Sequence, residues 1–142
     1  MTAQGAAQKT SRNKISRMFK DAKAFSSFSV NDMKKAKEFY GETLGLGVTE
    51  TQEGLELQLA GGKTIFIYPK PNHTPASFTI LNFPVNNIEE AVAELVDAGL
   101  RLEHYELPDL KTDKRGIASG PGMKIAWIKD PAGNILSVIE EK

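Results

Sequence analysis

The chain has 142 residues, of which 40% are apolar and 25% charged, and its formal net charge is zero. This composition is typical of one soluble domain with a real core. It has no cysteine, which excludes disulfides, thiolate metal sites and a cysteine nucleophile, and its only histidines are His73 and His104. No apolar run approaches the roughly 20 residues that cross a bilayer, and the N-terminus lacks an apolar signal segment. We therefore expect a cytoplasmic protein with no membrane partner.

The N-terminal segment is basic. Residues 1–24 contain six Lys or Arg side chains and one acidic residue, Asp21, a charge of +5, so the remainder carries −5. Such a segment can bind nucleic acid or an anionic surface. Because it lacks the interleaved aromatic side chains on which single-stranded bases stack, we predict no nucleic-acid partner. We expect residues 1–23 to be a flexible, solvated tail, with a short helix at residues 14–22 as an alternative.

The first half of the remaining chain predicts one strand, one helix and three further strands. Residues 24–30 (AFSSFSV) alternate as a strand does, and Asp32 is placed to cap a helix. A helical apolar stripe follows, and Gly45 is placed to end the helix. Runs at 47–51, 55–60 and 64–68 predict strands, with Gly61-Gly62 as a hairpin turn. The stripe consists of Met33, Ala36, Phe39, Tyr40 and Leu44.

The second half repeats this plan after a proline-rich linker at 69–77. VNNIEEAVAELVDAGL (85–100) matches VNDMKKAKEFYGETLGL (30–46) at an offset of 55 residues, with a one-residue slip at the end. Strands are predicted at 78–85, 101–107, 123–129 and 134–140, with a short one at 116–119. Asn87 is the predicted helix cap, Gly99 the predicted helix end, and Asp130–Gly133 a predicted type I turn. The helical stripe consists of Ile88, Ala91, Leu95 and Val96.

Three segments resemble the vicinal oxygen chelate superfamily, which groups glyoxalase I, bleomycin resistance proteins and extradiol dioxygenases. They are FSVNDMKKAKEFYGETLGL (28–46), FPVNNIEEAVAELVDAGL (83–100) and IAWIKDPAGNILSVIE (125–140). The resemblance implies an α+β fold in which two tandem βαβββ modules form curved mixed sheets around a cleft, with the helices outside. It places the domain at 24–141, with module one at 24–68, the linker at 69–77 and module two at 78–141.

In metal-using members of that superfamily, each module supplies ligands from its first and last strands, commonly His, Gln or Glu. The resemblance places these positions at Phe25, at Phe66 or Tyr68, at Ile80 and at Ser137, none of which is a strong ligand. No cofactor is therefore expected. The alternative is a divalent-metal enzyme of the glyoxalase, lyase or dioxygenase type with atypical ligands. Such a site would need Tyr68, His104 and Glu140 to converge.

By the same resemblance, the predicted cleft is apolar with scattered hydroxyl groups and one amide. Such a lining suits a small, partly apolar or aromatic molecule. We therefore predict a ligand-binding protein similar to the drug-sequestering branch, and homodimerisation is implied by the resemblance. Trp127 is expected to face the ligand or, alternatively, to lie in the core. A third hypothesis is an interaction protein that uses its basic N-terminal arm. The predicted ligand-binding residues are Phe25, Ser27, Ser29, Tyr68, Ile80, Asn82, Trp127 and Ser137.

Overall fold

The computed structural model describes residues 14–141, which form three helices and ten strands. The helices are α1 (14–21), α2 (Met33–Lys37, continued by a π-helical turn, Glu38–Thr43) and α3 (Ile88–Asp97). The first five strands are β1 (Ser26–Val30), β2 (Gly47–Glu50), β3 (Leu55–Leu59), β4 (Lys63–Pro69) and β5 (Thr79–Pro84). The others are β6 (Glu106–Leu107), β7 (Leu110–Lys111), β8 (Ile117–Gly120), β9 (Met123–Lys129) and β10 (Ile135–Glu141).

Two mixed sheets of four strands share one topology. The first has the order β1-β4-β3-β2 and the second the order β5-β10-β9-β8. In each sheet the first strand of the module runs parallel to the last, and the other neighbours are antiparallel. The helix links the parallel first strand to the remaining three, as a crossover must. The predicted α+β fold with two tandem modules is confirmed.

Both predicted helix caps form. The Asp32 side chain accepts a hydrogen bond from the Lys35 amide at 3.1 Å, and Asn87 accepts one from the Glu90 amide at 3.0 Å. These bonds satisfy amides that would otherwise lack a partner in the first helical turn. Gly99 lies just after α3 and has a φ of 88°, a conformation that glycine adopts without steric cost.

One hydrophobic core runs through both modules and lies against one face of each sheet. In β3 and β4 the buried residues alternate with exposed or half-buried ones, as expected of strands with one covered face. The stripe of α2 and its π-helical turn packs on this core, and so does most of the α3 stripe. Val96 is the exception, because it is 55% exposed. The opposite face of each sheet, called its open face below, is covered unevenly: Ser27 on the first sheet is exposed, whereas Trp127 and Ser137 on the second are 8% and 1% exposed.

The predicted strand at 101–107 is mostly absent, and residues 14–21 form the helix that was the alternative for the N-terminal segment. Residues 101–105 form no strand, because their polar groups make isolated bonds: the Glu103 amide donates to the Trp127 carbonyl, and the Tyr105 amide donates to Thr112 Oγ1. Only Glu106–Leu107 extends, as a two-residue hairpin with β7. The predicted tail lies partly outside the described residues, at 1–13. Its remainder includes α1, all of whose side chains are exposed. Within residues 14–141 no helix combines the length and apolar character needed to cross a membrane.

Candidate functional site

A buried polar cluster joins the two modules at the turn between β9 and β10. The Tyr40 hydroxyl donates to Asp130 Oδ2 at 2.7 Å, while Asp130 Oδ1 accepts from the amides of Ala132 and Asn134. Asn134 Nδ2 donates to the Ser29 carbonyl at 3.0 Å. The sequence pattern predicted the turn, and its bond from the Gly133 amide to the Asp130 carbonyl is present. It did not reveal that the turn fastens β1 and α2 to module two.

The electrostatics of this cluster keep Tyr40 in its neutral form. Burial raises the pKa of the Tyr40 phenol far above its ordinary value, and the Asp130 charge and hydrogen bond raise it further. Phenolate would place a second negative charge beside the carboxylate, away from water. Tyr40 therefore acts as a permanent donor to Asp130.

The open face of the first sheet carries an aromatic pair beside two serines. Phe66 and Tyr68 on β4 stack with ring centroids 6.3 Å apart and planes inclined by 15°. The neighbouring strand pairs Ser27 with Phe66 and Ser29 with Tyr68, which places all four side chains on the same face. Ser27 is exposed, and the other three are half-buried.

Ser29 is hydrogen-bonded to His73, which lies in the linker between the modules. Its Oγ lies 2.7 Å from His73 Nδ1, and His73 Nε2 lies 3.1 Å from the Ala132 carbonyl oxygen. A carbonyl only accepts, so in the neutral ring Nε2 carries the proton and Nδ1 accepts from the Ser29 hydroxyl. Although His73 lies in the proline-rich linker, its ring is half-buried and bonded at both nitrogens.

The open face of the second sheet carries a second aromatic pair. Trp127 lies directly across from Ser137, and its Nε1 donates to Thr79 Oγ1 at 3.1 Å. Tyr105 meets the indole edge-on, with centroids 5.3 Å apart. Ser137 Oγ donates to Asn82 Oδ1 at 2.5 Å. Trp127 is 8% exposed, so it is mostly enclosed by its own chain. Burial also raises the pKa of Tyr105.

Two of the predicted positions lie elsewhere than expected. A register shift pairs Thr79 with Ile135 and Leu81 with Leu136, so Ile80 falls outside the ladder and packs against the core. Thr79 takes the place expected for Ile80 beside the indole. The shift is a local bulge, which alternation in the sequence does not reveal. Phe25 precedes β1, is 68% exposed, and lines a cavity of about 610 Å³.

A comparison with protein families agrees with this architecture. Residues 24–138 match the family described as Glyoxalase/Bleomycin resistance protein/Dioxygenase superfamily. The chain belongs to this superfamily. No functionally curated protein matches it.

Solved structures share the superfamily fold with this chain. The glyoxalase family protein from Enterococcus faecalis is 24% identical, with a TM-score of 0.62, and the match covers 86% of this chain and 99% of that one. TnmS3, an antibiotic binding protein from Streptomyces sp. CB03234, is 21% identical, with a TM-score of 0.60 and coverages of 86% and 98%. The fosfomycin resistance protein FosX from Listeria monocytogenes is 10% identical, with a TM-score of 0.63 and coverages of 86% and 94%. At these identities the likeness shows the fold alone.

In the described part of the chain, the residues that the resemblance assigns to metal positions are not accompanied by a group of side chains that fits a metal ion. Within residues 14–141, no three His, Asp or Glu side chains are grouped in a way that could hold one. The side chains that an atypical metal site would need do not converge. Glu140 accepts a hydrogen bond from the Ile88 amide at 2.9 Å, and His104 is exposed and lines a groove beside α3. Tyr68 lies on the open face of the first sheet. A metal-dependent reaction would therefore need donors other than these.

Proposed function

We propose that this superfamily member binds a small, partly apolar or aromatic molecule on the open faces of its two sheets, without a metal ion. The supporting observation is the pair of aromatic contacts, Phe66 with Tyr68 on one face and Tyr105 with Trp127 on the other. Serine hydroxyl groups lie beside each pair, and the Asn82 amide lies on the same face as the second. Aromatic surface with a few polar groups is the usual lining of a small-molecule site.

We further propose that a homodimer completes the site. Four surface cavities of about 430 to 610 Å³ lie among residues 14–141. None of these four is lined by Ser29, Tyr68, Asn82, Trp127 or Ser137. Ser27 and Asn82 are exposed on the open faces, so a second copy laid across them would enclose a ligand beside these residues. The proposed binding unit is residues 24–141, with the modules and linker bounded as predicted, and the proposed location is the cytoplasm.

The antibiotic binding protein TnmS3 shares this fold, so binding without turnover is a function that the fold accommodates. The alternative, a metal-dependent enzyme of the glyoxalase, lyase or dioxygenase type, remains distinguishable by experiment. Calorimetric titration with Ni(II), Mn(II), Zn(II) and Fe(II) separates the two. We expect no stoichiometric binding. Tight binding of one ion per chain that is abolished by Tyr68→Phe would contradict the metal-free proposal.

Trp127 is the only tryptophan, so its fluorescence reports on one site. A panel of aromatic antibiotics and phenolic compounds is titrated in buffer containing EDTA, and binding on the second sheet is expected to change the emission. Tyr68→Ala is expected to weaken that binding, because both faces contact the same ligand. The matched control is Val96→Ala, a change at an exposed position of α3. A response equally reduced in both variants, or unaffected in both, would count against the proposed site.

The dimer is tested separately by analytical ultracentrifugation with and without a compound that binds. We expect two copies per particle, and Asn82→Arg to separate them, since Asn82 is exposed on the open face of the second sheet. A monomer that still binds with full affinity would show that one chain suffices.

A further inference from the structure

Ser29 and His73 have the arrangement of a nucleophile and its base. We propose that Ser29 is an activated nucleophile that reacts with electrophilic acyl groups, such as activated esters, with His73 as the general base. Activated serines are recognised by a base within hydrogen-bond reach that is itself oriented by a third group. Here the base lies 2.7 Å from Ser29 Oγ, and the third group is the Ala132 carbonyl, 3.1 Å from the other ring nitrogen.

The proton positions support the direction of transfer. Because the Ala132 carbonyl requires a proton on Nε2, His73 Nδ1 presents a lone pair to the Ser29 hydroxyl. The Ser29 proton therefore already points at its acceptor, and the oxygen lone pairs are left for an incoming carbon. When the ring becomes doubly protonated, Nε2–H still donates to the same carbonyl, so the cation loses no partner.

The ring is held in place from two sides. The turn that carries Ala132 is fixed by two hydrogen bonds, which the backbone amides of Ala132 and Asn134 donate to Asp130 Oδ1. The Asn134 side chain also donates to the Ser29 carbonyl. The orienting carbonyl and the nucleophile are therefore parts of one bonded unit. Such rigidity keeps a base aligned without further reorganisation during the reaction.

Tyr68 supplies a donor on the same face. It lies directly across from Ser29 on the neighbouring strand, and stacking on Phe66 restricts its ring. We assign its phenol O–H as the hydrogen-bond donor to the substrate carbonyl oxygen, which becomes negative when Ser29 attacks the carbonyl carbon. A donor aimed at such an oxygen stabilises the transition state more than the substrate.

The proposed reaction balances without a metal, an oxidant or a reductant. Ser29 Oγ forms a bond to the acyl carbon while its proton moves to His73 Nδ1. The bond between the acyl carbon and the leaving oxygen then breaks, and that oxygen takes the proton from Nδ1. Water, deprotonated by the same nitrogen, then forms a bond to the acyl carbon, and the bond to Ser29 Oγ breaks as Oγ takes the proton back from Nδ1. An ester and water thus give an acid and an alcohol, and Ser29 and His73 return to their initial state. The proposal does not depend on the ligand-binding proposal above.

The first test compares two serines of the unaltered chain, Ser29 and its control Ser27. Ser27 lies on the same strand and face as Ser29 and is more exposed, and its hydroxyl is not bonded to His73. The chain is treated with an alkyl fluorophosphonate, and the adducts are located by peptide mass spectrometry. Ser29 is expected to label about 100-fold faster than Ser27, the size of a typical general-base effect. Equal labelling of the two serines, or no adduct at Ser29, overturns the proposal.

The second test separates activation from simple accessibility. His73→Gln is expected to slow labelling of Ser29 by about 100-fold and leave Ser27 unchanged. Tyr68→Phe is expected to slow p-nitrophenyl acetate hydrolysis, and Ser29→Ala to abolish it. Circular dichroism and the urea midpoint check that each variant folds. Unchanged Ser29 labelling in a folded His73→Gln variant shows that the contact is structural and overturns the proposal.

Discussion

The bond between Tyr40 and Asp130 is predicted to be a main contribution to the stability of the junction between the modules. Tyr40→Phe removes the hydroxyl and leaves the ring, which packs edge-on against Phe39 with centroids 5.0 Å apart. Tyr40 is fully buried and Asp130 is 4% exposed, so water cannot replace the lost donor easily. The variant therefore isolates one buried hydrogen bond to a carboxylate.

The expected loss is about 2 kcal/mol of unfolding free energy. A hydrogen bond to a charged group contributes about 1.5–3 kcal/mol. Asp130 Oδ2 keeps one donor in the variant, Asn134 Nδ2 at 2.9 Å, and Oδ1 keeps its two amides. These remaining bonds place the loss in the lower half of that range.

The stability that Tyr40→Phe loses should become smaller at alkaline pH. The folded pKa of Tyr40 is raised above its ordinary value of 10.0, so the folded state retains a proton that the unfolded state releases above that pH. The stabilisation by Tyr40 is thus complete below pH 10 and declines as pH rises further, by up to about 1.4 kcal/mol per pH unit. At pH 11 the difference between Tyr40→Phe and the unaltered chain is expected to shrink to about 0.6 kcal/mol.

Urea denaturation followed by Trp127 fluorescence at pH 8 and pH 11 measures both quantities. Tyr105→Phe is the control for the size of the loss at pH 8, since Tyr105 is only partly buried and its ring contact with Trp127 survives the change. A loss below about 0.5 kcal/mol for Tyr40→Phe, the range of ordinary surface substitutions, would refute the reasoning. So would a difference between the two proteins that does not change with pH.

Three further outcomes are expected. Gly54→Ala should cost about 1–3 kcal/mol in thermal unfolding because its Cβ would lie 2.1 Å from a carbonyl oxygen of β4, whereas Gly120→Ala, with open space around its Cβ, should cost much less. Tyr105→Ala should shift Trp127 emission to longer wavelength by uncovering the indole, and an unshifted spectrum would show that other groups enclose it. Asn87→Ala should lose about 1 kcal/mol by removing the cap of α3, measured by urea denaturation, and an unchanged midpoint would disprove the role of the cap.

Local patterns in the sequence account for most of the secondary structure. Alternating leucines mark β3, Asp32 and Asn87 mark helix starts, and Gly61-Gly62 supplies a turn with two positive φ angles. Each of these signals acts within a few residues, where capping and side-chain alternation are decided. The segment 101–105 was predicted incorrectly because its amides make isolated bonds, from Glu103 to the Trp127 carbonyl and from Tyr105 to the Thr112 side chain, which alternation does not reveal.

The site was only partly predictable, for the same reason. The open-face position of Ser29 and the pairing of Ser137 with Asn82 follow from strand alternation and register. The bond from His73 to Ser29 spans 44 residues, so no local pattern could indicate it. The replacement of Ile80 by Thr79 depends on a single bulge, and one extra residue reverses which side chains share a face.

The sequence by itself determined the repeated βαβββ plan, the capped helices and the absence of strong metal ligands at the positions implied by its resemblance to the superfamily. These properties depend on residue type and on spacing along the chain. Only the tertiary structure decided how Tyr40, Asp130 and Asn134 fasten the modules and why His73 lies against Ser29. Those contacts join residues that are distant in the chain, and they form only when the core brings the two modules together.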